Sequence, residues 1–160
     1  MRENYNLAHV AVRMVDEPPL ISDEPMNSPD AAVRVIGAFL EGMDREYFCV
    51  VNLQSDLRPI SMNIVSIGTL GCSVVHPREV FKSAILSNAA SVILIHNHPS
   101  GQLTPSEEDL EITSRLQQAG SLIGIPVADH IITGRSGDYF SFSDHGILPE
   151  GGRMLQTAAE

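Results

Sequence analysis

From Ser28 onward, apolar positions recur first at helical spacing and then in runs suited to strands. Ser28 and Pro29 suit an N-cap and a first helical position. Ala32, Val33, Ile36, Phe39 and Leu40 follow on one face, with Gly42 as a stop. Runs at about 46–53, 59–67 and 69–75 read as strands. Pro77 to Ala90 returns to helical spacing, with Val80, Phe81, Ala84 and Ile85 inward. Ser91 to Ile95 is an unbroken, β-branched apolar run, which reads as a buried strand. Thr104 then suits an N-cap, Pro105 a first helical position, and Glu107 completes a T-x-x-E capping box. The helix so opened is predicted to run to about Gly120. Ile125 to Ile132 reads as another buried strand, and Tyr139 to Ser143 as a short last one. Ahead of this pattern, Ala8 to Val15 reads as a short strand and Asp16-Glu17-Pro18-Pro19 as a loop. Helices interleaved with strands predict an α/β fold, a mixed β-sheet flanked by helices. The expected layout is an N-terminal extension at 1–27, one domain at 28–149 and a flexible tail at 150–160.

Composition narrows this little. With 160 residues, 43% of them hydrophobic, the chain is long enough to bury a sizeable core. No apolar run approaches the roughly 20 residues that span a bilayer, and Met1 to Asn6 carries no signal-peptide core, so cytoplasm is the expectation. Cys49 and Cys72 fall in strand-like runs without C-x-x-C spacing, which suits core thiols. Charge changes the picture more. The net charge is −10, with ten basic residues scattered among twenty acidic ones, which opposes phosphate-driven nucleic-acid binding. Oligomeric state is not legible.

The chemistry concentrates in His96-Asn97-His98-Pro99-Ser100-Gly101-Gln102-Leu103-Thr104-Pro105-Ser106-Glu107-Glu108-Asp109. His96 and His98, two apart at a strand end, point to one side. Ser106 and Asp109, three apart in a helix's opening turns, share a face. Two imidazoles and a carboxylate suit zinc with a fourth position open to water. A His-x-His pair alone is common, and the helix dipole accounts for Glu107 and Glu108. The four positions together match by chance on the order of 10⁻⁴ of the time in a chain of this length. A general base is not identified by spacing, since Glu41, Glu46 and Glu79 are all upstream carboxylates. Asp129-His130 could support the site or form an ordinary core pair. His76 suits a helix start and His145 a polar loop.

This stretch resembles the signature of the JAMM (Jab/MPN) metalloproteases. With His76-Pro77-Arg78-Glu79, Asn88-Ala89-Ala90, Pro105-Ser106 and Asp129-His130-Ile131-Ile132, the chain resembles the bacterial RadC-like branch over about Asn27 to Phe142. The resemblance implies a JAMM/MPN, cytidine-deaminase-like three-layer arrangement. It implies one zinc ion held by His96, His98 and Asp109, with Ser106 stabilising the oxyanion of the tetrahedral intermediate. The family's glutamate opens the strand after the first helix, the position of Glu46. There it would act as general base on a zinc-activated water and pass the proton to the leaving amine. The implied activity is that of a zinc metallopeptidase or isopeptidase acting on a protein or peptide, isopeptide-linked substrates included. The alternative is a non-catalytic or DNA-repair-associated RadC-like binding protein. The acidic charge weakens it, as do the roughly 27 residues ahead of the resemblance, too few for a helical DNA-binding module. A zinc deaminase would want H-x-E and P-C-x-x-C, and the chain has no C-x-x-C.

Overall fold

Ser28 caps the first helical segment as its sequence suggests, its hydroxyl accepting from the Ala31 amide. In the computed structural model, residues 24–68 and 75–148 are described, with Ala11, Met14 and Ser22 as isolated positions. The segment comprises α1 (Pro29–Ala32) and α2 (Ala38–Leu40), joined by a π-helical stretch, Val33–Gly37. That stretch departs from the plain helix expected. At Gly37 an added Cβ would lie 3.0 Å from a Val33 methyl, so the widened turn is tightly filled. The elements that follow are β1 (Tyr47–Leu53), β2 (Pro59–Ile67), α3 (Pro77–Leu86), β3 (Ser91–Asn97), α4 (Glu107–Ile123), β4 (Val127–Thr133) and β5 (Tyr139–Ser141). The strands expected at 8–15 and 69–75 fall largely outside the described residues, as does Cys72, and Val75 is not in a strand.

The five strands form one mixed sheet in the order β2-β1-β3-β4-β5. Only the β3–β4 pair is parallel. Strand alternation divides the core in two. Cys49, Val51, Leu53, Ile93 and Ile95 pack with Val33, Ile36 and Leu40 on one face. Phe48, Val50, Val92 and Leu94 pack with Val80, Phe81 and Leu116 of α3 and α4 on the other. The result is three layers, helix, sheet, helix, as the α/β reading required.

Two details of this fold position the site. His96 continues the Val92–Leu94 alternation, so it emerges on the α4 face. In β4 an extra residue, Ala128, lies between the pairs Val92↔Val127 and Ile93↔Asp129. This bulge shifts the alternation by one, and His130 lands on the α4 face instead of the α1 face.

Helix α4 also corrects two boundaries read from the sequence. Its N-cap is Ser106, not Thr104, and its capping box joins Ser106 to Asp109 instead of Thr104 to Glu107. Its C-cap is Gly124 at φ 77°, not Gly120. Gly120 is internal, where a Cβ would meet the Ile125 carbonyl oxygen at 2.5 Å and the Phe81 ring at 3.1 Å. Close approach, not helix termination, requires glycine there.

Candidate metal centre and active-site cleft

The last turn of β3 and the first turn of α4 converge on one cluster. His96 is 3% exposed, and Phe48 stacks against its ring with centroids 5.6 Å apart. His98 lies just past the strand, where its amide donates to the Thr133 carbonyl at 3.0 Å and holds it in line with β4. The chain then turns through Gly101 at φ 81°, which brings the Gln102 carbonyl oxygen within 2.7 Å of His98 Nδ1. Opposite them, the capping box presents Asp109. The Asp109 amide donates to Ser106 Oγ at 3.1 Å, and Asp109 Oδ2 accepts from the Ser106 amide at 2.8 Å and its hydroxyl at 2.7 Å. Ser106 is therefore both the helix cap and the residue that fixes the carboxylate. Thr104 does not relieve it of the capping role.

Hydrogen-bond bookkeeping sets the ring protons. Thr113 Oγ1 lies in bonding distance of the Asp109 carbonyl oxygen, an acceptor only, so the hydroxyl proton goes there. His130 Nδ1, 2.6 Å from the same hydroxyl, must then donate to it. Neutral His130 is left with a bare Nε2, which accepts from His96 Nδ1–H at 2.9 Å. His98 Nδ1–H donates to the Gln102 carbonyl. Both Nε2 lone pairs consequently face inward, 3.0 Å apart. Asp109 Oδ1 is 3.2 Å from one, and Oδ2 is 3.5 Å from the other.

Four inward acceptors repel one another unless a cation joins them, whether a shared proton or a metal ion. The electrostatics follow that demand. Bonding to Asp109 pushes the His98 pKa up against the effect of burial, and the charge of Glu46 adds to it. Burial works to raise Asp109, yet the His96 and His98 imidazoles facing it, which attract a cation to the site, outweigh burial and hold the carboxyl well below its usual range. Burial and the nearby His96 keep His130 neutral, with its pKa far below normal. The donor set also suits a metal ion such as zinc in ligand type. Tetrahedral zinc accepts imidazole nitrogen and carboxylate oxygen, and here two Nε2 atoms lie 3.0 Å apart, with Asp109 Oδ1 3.2 Å from that of His96 and Oδ2 3.5 Å from that of His98. Among the described residues, His96, His98 and Asp109 are the group able to offer a metal three convergent ligand atoms.

Of the three upstream glutamates, Glu46 shares the cleft of about 640 Å³ with His96, His98, Ser106 and Asp109. Glu41 lines a separate cavity with Asp30, Arg34 and Thr133. Glu79 sits at the start of α3, paired with Lys82 and Arg78. Glu46 owes its place to a residue that sequence reasoning passed over. Asn97, between the two histidines and 5% exposed, accepts from the Tyr47 amide at 2.8 Å and donates to the Arg45 carbonyl at 3.0 Å. It thus clamps the backbone on both sides of Glu46. Thr113 was also passed over, although it stands one helical turn after Asp109. Asp129 and His130 take different parts. His130 backs His96, while Asp129 is buried against Ser141, Ser143 and its own neighbour's amide. His76 caps α3 as expected, accepting from the Arg78 amide, and His145 stacks on Phe140.

Comparison with known families decides the relationship. The model of the RadC-like JAB domain matches residues 26–147. The chain belongs to that family. Within the RadC-like JAB domain lie Glu46, His96, His98, Ser106 and Asp109, and the mixed sheet with helices on both faces is the architecture such a domain calls for. A UPF0758 protein of Rubrobacter xylanophilus is 48% identical over 123 residues, which is 77% of this chain and 53% of that protein. One of Pelobacter propionicus is 54% identical over 104 residues, 65% of this chain and 45% of its own length. One of Thermotoga maritima is 48% identical over 106 residues, 66% of this chain and 47% of its own length. The RadC-like JAB chain thus spans about half the length of the curated relatives it matches. Among the described residues, no helix is long and apolar enough to cross a membrane.

Proposed function

We propose that this RadC-like JAB domain is a zinc-dependent hydrolase of amide bonds in protein or peptide substrates, isopeptide linkages included. One observation carries the reading. Hydrogen bonds to Nδ1 commit His96 and His98 to the tautomers that aim bare Nε2 atoms at the Asp109 carboxylate. A site built to be held by a cation is thereby set in a cleft beside a glutamate. His96, His98 and Asp109 would hold the ion. When bound there, zinc supplies a Lewis acid that polarises a carbonyl and acidifies water.

The chain's own residues supply the rest. Glu46, clamped beside His98 by Asn97, takes the proton of the attacking water and delivers it to the leaving amine. Ser106 lines the same cleft, and its hydroxyl turns from Asp109 Oδ2 to the developing oxyanion. Phe48 and Val75 form an apolar part of the cleft wall beside these groups.

The test is metal content followed by cleavage. Purified wild type is expected to hold one zinc per chain, and His98→Ala to lose it. Wild type is then expected to cleave members of a panel of isopeptide-linked and linear peptides, with activity abolished by a chelator and restored by zinc. Equal zinc in wild type and His98→Ala would overturn the ligand assignment. Zinc-loaded protein inert on the whole panel would overturn the hydrolase reading.

A further inference from the structure

The Asp109 carbonyl, Thr113, His130 and His96 form one unbroken hydrogen-bonded chain from the backbone of α4 to the candidate centre. Its members are buried. Thr113 is 2% exposed and His130 0%, and the His130 ring stacks on Phe142 with centroids 4.6 Å apart. With water kept away, no solvent molecule substitutes for a missing partner, and each proton has one place to go. The helix therefore dictates the far end. Asp109 Oδ1 faces His96 Nε2, while the carbonyl of the same residue sets the ring proton of that histidine through two intervening side chains.

We propose that Thr113 and His130 are positioning residues, which place the ring proton of His96 on Nδ1 and so keep its Nε2 bare for a metal ion. The proposal deepens the metal reading and rests on it for the loading of zinc, but the proton placement exists in the metal-free protein. Remove the hydroxyl, and His130 Nδ1 has no acceptor. Its proton then moves to Nε2, where it donates to His96 Nδ1, and the His96 proton is displaced to Nε2. The ligand atom is thereby capped. A ring proton must be moved before the ion enters, which lowers affinity without removing any ligand. Partners that orient ligating histidines are typically worth about 10- to 100-fold in metal affinity.

Two measurements test this. In metal-free protein at neutral pH, nitrogen-15 NMR of the imidazoles reports which ring nitrogen carries hydrogen. Wild type is expected to show His96 and His130 with Nδ1–H. Thr113→Val, close in shape, is expected to shift both toward Nε2–H, and Thr113→Ser to restore them. Zinc affinity, measured by competition with a chromogenic chelator, is expected to fall about 10- to 100-fold in Thr113→Val and to recover in Thr113→Ser. In a His130→Gln background the path is cut, so Thr113→Val is expected to cost nothing further. A merely structural threonine would cost the same in both backgrounds. Wild-type His130 carrying Nε2–H, or a Thr113→Val protein with unchanged tautomers, would overturn the proposal. Tautomers that respond as expected in a protein taking up no zinc would uphold the positioning and sink the metal reading instead.

Discussion

At the scale of single residues, Ser106 joins two roles that the sequence seemed to separate. By sequence Thr104 suits the N-cap, and the family resemblance gives Ser106 the oxyanion. The capping box instead runs through Ser106 and Asp109, so a candidate catalytic hydroxyl also starts the helix and orients a candidate ligand. Ser106→Ala is therefore expected to lose about 1 kcal/mol of stability, read as a lower urea midpoint, and Ser106→Thr to recover most of it. The same substitution should weaken zinc binding, because Asp109 Oδ2 loses its hydroxyl donor. A midpoint unchanged in Ser106→Ala would show that another group caps α4. Glu46 is expected to behave in the opposite way. It lines the cleft but is not in the group of convergent ligand atoms. Glu46→Gln should keep zinc and stability while hydrolysis falls by about 10²-fold or more. Zinc lost from that variant would make Glu46 a ligand instead of a base.

At the scale of elements, the end of α4 illustrates why pattern misplaces boundaries. Gly120 and Gly124 both suit a helix stop by composition, and only the tertiary approach separates them. Gly124 adopts the left-handed conformation of a C-cap, whereas Gly120 lets the Ile125 carbonyl and Phe81 pack onto the helix. In an isolated helix Gly→Ala gains roughly 1 kcal/mol. In this protein the added methyl would meet a backbone oxygen at 2.5 Å, and overpacking of this kind costs typically about 1–3 kcal/mol. Gly120→Ala is expected to be destabilising in thermal melts, against its helix propensity. A stabilised Gly120→Ala would mean that the α4–β4 connection moves freely.

At the scale of the whole molecule, the sheet stores a buried acid that should be visible in the pH dependence of folding. Burial pushes the Asp129 carboxyl up from 3.8 to about 6, against the hydrogen bonds from Ser141, Ser143 and His130. The folded state thus holds this proton to higher pH than the unfolded chain does. The contribution is fully present below about pH 4 and is lost as pH rises through about 6, roughly 3 kcal/mol when complete. Relative to wild type, Asp129→Asn is expected to gain stability between pH 4 and 7 in urea titrations. A difference flat across that range would show that Asp129 does not titrate there. The sequence by itself determined the layered α/β plan, the strand–loop–helix frame of the motif and the identity of its histidines, serine and aspartate. These follow from local periodicity and from chemistry carried by neighbours in the chain. The family resemblance pointed to Glu46, which spacing alone did not single out, and the tertiary structure supplies the reason it lines the cleft, because Asn97 clamps the backbone beside it across fifty residues. Only the tertiary structure decided that His130 backs His96, because one extra residue in β4 turns that side chain to the α4 face. A bulge and a cross-strand clamp leave no periodic trace, since each is set by where distant segments meet.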